Sequence, residues 1–168
     1  MAIQAEEHFA ARLQQTNFPL RLYGLVDALL HAQVSATQPL FRSSSCVALF
    51  DGTPDEALAH AGPWLLDCSA DRSAHIPALQ RLAESELGCT WIVSGYAMDD
   101  LAEALRARLD VRMPNGTTAL LRYYDARLAD DIAALLTPEQ RAAFFAPVQD
   151  WLVERNGKLI RIHSVHGA

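Results

Sequence analysis

Cysteine is scarce in this chain. Only Cys46, Cys68 and Cys89 occur, and no two are spaced as CxxC. An odd number without paired spacing argues against a disulfide scaffold and fits reduced, mostly buried thiols in a cytoplasmic protein. Basic residues are also outnumbered: 14 Lys and Arg stand against 20 Asp and Glu, a formal charge of -6. A general nucleic-acid binder needs a basic stripe that releases counterions from phosphates, so this balance argues against that class. No block of five like charges occurs, which removes acidic-tail readings. No apolar stretch is long enough to span a bilayer, and the first fifteen residues carry two early glutamates, Glu6 and Glu7, where a secretory signal has its apolar centre. The expectation is a cytoplasmic protein with no membrane or nucleic-acid partner.

The signatures of common chemistries are missing too. GxSxG is absent, and the SGY at Ser94 lacks the second glycine. Cys68 or Cys89 could pair with a distant histidine, but any chain with three cysteines and six histidines allows that, and a buried thiol is the better reading. HExxH is missing, and His163 and His166 in HSVH have no flanking carboxylate or cysteine, so they read as surface histidines near the end. Neither GxxxxGK[ST] nor GxGxxG is present to cradle a phosphate. Asp99-Asp100 and Asp130-Asp131 fall on helices, where surface charge is the ordinary state. No catalytic residue, metal or cofactor is assigned, and the expectation is that the chain is not an enzyme.

What is present is a core. Apolar residues make up 51% of 168 residues, which suits one folded domain over 1–168. Residues 3–15 read as a helix with Ile3, Phe9 and Leu13 on one face. LRLYGLV, CVALF, WLLDC and TWIVS read as short strands. Thr53-Pro54 with Glu56 reads as a capping-box helix start, and Gly62-Pro63 as its stop. Residues 72–87, about 98–109 and 126–136 read as further helices, the first ended by Gly88. Thr137-Pro138-Glu139-Gln140 starts another by the same capping logic. The fold class is mixed α/β (α+β): a short-stranded sheet packed with helices, with two Asn-Gly hairpins in the C-terminal third.

Those hairpins bear on the RYYD stretch. A two-residue Asn115-Gly116 loop sets Met113 opposite Thr118, Val111 opposite Leu120 and Leu109 opposite Arg122. Alternation then puts Arg122 and Tyr124 on the more apolar face, where a cation needs a partner. Asp27 is the first candidate and Asp125 the second. The second hairpin sets Trp151 opposite Ile162 and Val153 opposite Ile160, with SVHGA as a frayed tail. Trp151, in a terminal hairpin, is a possible partner-binding anchor.

Taken in order, LYGLVDALL, ALFDGTPDEALAHAGPWLLD and the string from WIVSGYAMDD through PNGTTALLRYYDARL to LTPEQRAAFFAPVQDWL resemble the type VI secretion effector adaptor and chaperone family, first catalogued as domain of unknown function 4123. The resemblance runs over about 22–152. Where the family usually has a proline after the aspartate of RYYD, Ala126 stands here. The chain is on the short side for the family, and the resemblance carries the expectation that a larger C-terminal lobe seen in longer members is reduced here. The resemblance implies a non-enzymatic adaptor that binds a toxic effector protein in the cytoplasm and helps load it onto the spike protein. It marks Asp27, Pro63, Arg122, Tyr124 and Asp125 as motif positions, either structural or lining a cargo groove. The alternative is a small hydrolase or transferase with an unrecognised site.

Overall fold

The structure, a computed structural model, describes residues 4–36, 38–69 and 72–165, with the backbone alone at residues 72 and 73. Eight strands run in chain order: β1 (Arg21–Asp27), β2 (Cys46–Ala48), β3 (Pro63–Asp67), β4 (Cys89–Ser94), β5 (Asp110–Arg112), β6 (Thr118–Leu120), β7 (Asp150–Arg155) and β8 (Lys158–Ser164). Six of them form one antiparallel sheet in the order β2-β3-β1-β4-β7-β8, and β5 with β6 forms a separate ribbon. The α-helices are α1 (Gln4–Gln15), α2 (Ala28–Val34), α3 (Arg72–Glu84), α4 (Met98–Arg106), α5 (Ala129–Leu135) and α6 (Pro138–Phe144), with 3-10 turns at Glu56–Ala61 and Ala126–Leu128. The mixed α/β class holds.

Strands β3 and β4 are buried at every position and β1 at all but Arg21, so helices must cover both faces of the sheet. The register sorts them. Gly24, Trp91 and Leu152 pair across β1, β4 and β7 and share the face on which α3 lies. A Cβ on Gly24 would stand 2.7 Å from Leu79 Cδ1, so glycine there lets α3 sit close against the strand. Tyr23, Ile92 and Trp151 share the other face. There Trp151 meets the Tyr123 ring, and the Tyr123 hydroxyl donates to Leu105 O of α4.

Several expectations need correction. Leu13 is 44% exposed, while Arg12 and Ala5 are the buried residues of α1. The helix is turned because Arg12 Nε donates to buried Asp150 at 2.8 Å; Ile3 lies outside the described residues. Thr53 does not cap a helix: its hydroxyl donates to Phe50 O and accepts from Asp55 N in a turn, and the 3-10 turn begins at Glu56. The stretch 126–136 is a 3-10 turn followed by α5. The capping box at Thr137 and Gln140 is present, with both reciprocal bonds made.

The first hairpin is shifted by one residue. Arg112 pairs with Thr118, Val111 with Ala119 and Asp110 with Leu120. Met113 N donates to Thr117 O and Gly116 N to Met113 O, leaving the three-residue loop Pro114-Asn115-Gly116 with Gly116 at φ 84°. Pro114 suits the first corner of a type I turn, and the following left-handed glycine closes it. The second hairpin does use two residues, Asn156 at φ 52° and Gly157 at φ 70°. Val153 faces Ile160 as expected, but a bulge then sets Trp151 opposite His163. Ser164 and Val165 are tied into the sheet by bonds to Asp150 and Gln149, so the segment SV is not frayed; residues 166–168 lie outside the described residues.

Candidate functional site

The RYYD segment leaves the ribbon at Leu120, so strand alternation does not carry on through it, and Tyr123, Tyr124 and Asp125 are buried in succession. The side chain of Arg122 is 49% exposed. Its Nη2 donates to Asp27 Oδ2 at 3.3 Å and to Asp125 Oδ2 at 3.4 Å, so it lies between both carboxylates. Each carboxylate also caps a helical turn. Asp27 Oδ1 accepts from Leu29 N and Leu30 N at the start of α2. Asp125 Oδ1 accepts from Arg127 N and Nε at 3.0 Å each, and Oδ2 from Arg127 Nη2 at 2.9 Å. Burial pushes the Asp125 carboxyl up, but the Arg127 hydrogen bonds outweigh it and the net shift is downward.

Pro63 opens β3 opposite Asp27, and its carbonyl accepts from Leu49 N at 2.9 Å. Beside it, Gly62 lies under the Phe50 ring: an added Cβ would stand 2.4 Å from Phe50 Cδ2. Phe50 meets Tyr124 edge-on at 6.4 Å, and Tyr124 meets Tyr123 at 5.9 Å. The structure thus brings Asp27, Pro63, Arg122, Tyr124 and Asp125 to one junction, where β1, β3 and the RYYD loop meet. Trp151 stands apart from it and is 2% exposed, enclosed by Tyr123, Phe144 and Phe145 on strand β7, which lies between β4 and β8. It offers no surface to a partner in this conformation.

His163 stacks on Phe145 at 4.5 Å and is half-buried, not a surface residue. Ser94 donates to Pro147 O, 53 residues on, and accepts from Tyr96 N in a local turn, so its hydroxyl is taken up by structural bonds. Burial pushes the Cys46 thiol up to about 11 and Cys89 well above its ordinary value, away from thiolate chemistry. No group of three metal-binding side chains occurs among the described residues, and no helix there is long and apolar enough to cross a membrane.

Two features escaped the sequence reading. One is the buried cluster in which Asp150 accepts from Arg12 Nε and, at 2.5 Å, from Ser164 Oγ, with His8 Nε2 at 3.1 Å. The other is an open groove of about 620 Å³ between α2, the segment 38–43 and α3. At its margin Ser45 Oγ lies 3.0 Å from His75 Nε2. No sequence motif marks either one, because the bonded partners are 14 to 142 residues apart.

The architecture is that of a helix-covered antiparallel sheet whose polar junction joins the ends of β1 and β3 to one short segment late in the chain. The chain belongs to the family described as "Domain of unknown function (DUF4123)", whose model matches residues 22–143. No curated protein and no solved structure matches it.

Proposed function

We propose that this protein is a non-enzymatic adaptor that binds a toxic effector in the cytoplasm of a Gram-negative bacterium and helps load it onto the type VI secretion spike. The sequence resemblance to such adaptors suggests the class. The observation that carries the reading is in the segment most like them. There the polar groups of RYYD bond the protein itself: Arg122 to Asp27 and Asp125, and the Tyr123 hydroxyl to Leu105 O. A motif consumed in holding two layers together supports a scaffold that presents a surface, with the effector and the spike protein as partners. The test is a tagged pull-down from the native bacterium with mass spectrometry. Recovery of one large effector supports the reading, and a partnerless protein overturns it.

A second reading, a small hydrolase, is favoured by the hydroxyl of Ser45 lying 3.0 Å from His75 Nε2, the spacing of a nucleophile and its base. Hydrolysis of an activated ester that disappears in Ser45→Ala would support it; equal rates would sink it.

A further inference from the structure

We propose that the groove between α2, the segment 38–43 and α3 docks an extended stretch of the effector in which apolar side chains surround one Asp or Glu, with Arg81 and His31 receiving the carboxylate. The occupant being a protein segment rests on the adaptor reading; its chemistry rests on the groove.

The walls are apolar: Leu40, Phe41, Cys46, Leu66, Pro77 and Ala78. Phe41 is 72% exposed at the rim, an unusual position for a large aromatic side chain and a ready anchor for a partner. The charge is one-sided. Among the described residues that line the groove there is no Asp or Glu, although the chain carries 20 acidic residues and a formal charge of -6. The basic groups are Arg81, His31 and His75.

Two of those groups are ready to take an anion. Arg81 Nε donates to Val34 O and Nη2 to Ser35 Oγ, which fixes the guanidinium at the end of α2. No carboxylate lies within ion-pair distance of it among the described residues. His31 is 4% exposed, yet its ring makes no hydrogen bond among the described residues, and it lines the groove. The ring nitrogens are not sealed off from the groove, so an incoming carboxylate can accept an N–H bond from them. The neighbouring cavity beyond Leu40 shows the contrast. Its Arg42 is held by both oxygens of Asp51 at 2.7 Å, and Glu56 lines the same wall, so its charge is already answered.

The test is selection of random linear dodecapeptides displayed on phage against the full chain, followed by binding of the fluorescently labelled winners. The expected winners share an Asp or Glu flanked by apolar residues. Their affinity should fall about tenfold on Arg81→Gln, and about tenfold on wild type when the acid is changed to its amide, without the two losses adding. Melting curves confirm that each variant is folded, and Phe41→Ala, at the exposed rim, provides a second variant that should also weaken binding. Failure to enrich any peptide, winners with no shared acid, or unchanged binding to both variants would overturn the proposal. Pull-downs separate the two levels. An effector retained equally by Arg81→Gln and Phe41→Ala removes the groove but leaves the adaptor, whereas a wild-type chain that captures no effector removes the adaptor itself.

Discussion

Arg122 reaches Asp27 across 95 residues of sequence, with Nη2 at 3.3 Å from Oδ2. Both Asp27 and its companion Asp125 are buried, while the arginine is half in solvent. Solvent screens the cation's share of the energy, and each carboxylate keeps its helix-capping bonds when Arg122 is removed. Arg122→Ala is therefore expected to cost about 1 kcal/mol. Asp125→Ala should cost more, about 2–3 kcal/mol, because it removes a cap and the charged bonds from Arg127 together. Urea denaturation of the two variants checks the order. A normal melt for Arg122→Ala with lost effector capture would instead place Arg122 and Tyr124 in a cargo groove.

Gly62 is fixed by a ring. An alanine Cβ would meet Phe50 Cδ2 at 2.4 Å and Cε2 at 2.5 Å, and Phe50 is itself buried and held edge-on by Tyr124. Gly62→Ala should destabilise by about 1–3 kcal/mol through overpacking. Adding Phe50→Leu should recover part of that loss in the double variant, and thermal melts of the single and double variants decide it. Simple addition of two losses would contradict the close packing.

Acid should loosen the chain through Asp125 and Asp150. For Asp150, burial pushes the carboxyl up, and hydrogen bonds from Ser164 and His8 with the Arg12 charge bring the net shift below the ordinary 3.8. A carboxyl that titrates lower when folded stabilises fully above its unfolded value. That stability drains away as pH falls through the folded value. Asp150→Asn should flatten the acid limb of the stability curve. It should also cost about 3–5 kcal/mol near neutrality, since Arg12 then stays buried without its counter-charge. Stability measured against pH for both chains gives the answer.

Glu154 points the other way. It is buried on β7, and burial raises its carboxyl above the ordinary 4.5 despite the backbone N–H groups of Gln4 and Ala5. Its Oε2 makes no hydrogen bond. The protonated form is favoured in the fold, so its contribution is complete below 4.5 and is lost as pH rises through the folded value. Glu154→Gln should stabilise the fold at neutral pH and change little at acid pH. A loss at neutral pH in the same melts would contradict it.

Strands with near-continuous apolar runs were legible because burial on both faces leaves a plain signature, as in TWIVS and WLLDC. The second hairpin was legible because both Asn156 and Gly157 accept positive φ. The first was misplaced by one residue, since Asn-Gly serves a three-residue loop as well as a two-residue one; Pro114 was the signal that distinguishes them. At the junction, the pairing of Arg122 with Asp27 followed from the cost of an unpartnered cation, although Arg122 turned out half exposed rather than on a buried face. The turn of α1 was not legible. Its burial is decided by Asp150, 138 residues away from Arg12, and helix periodicity carries no record of a distant partner.

That long-range pair also reshapes what counts as the unit of folding. The family match covers 22–143, yet β4 completes its pairing only with β7, and α1 is held by Arg12 on Asp150. Both flanking segments lie outside the match and close on each other like the two halves of a clasp. During synthesis α1 has no counter-charge to dock on until Asp150 has followed it, so the clasp shuts late, and a chain cut to the matched boundaries would leave the β4 edge bare for other strands to join.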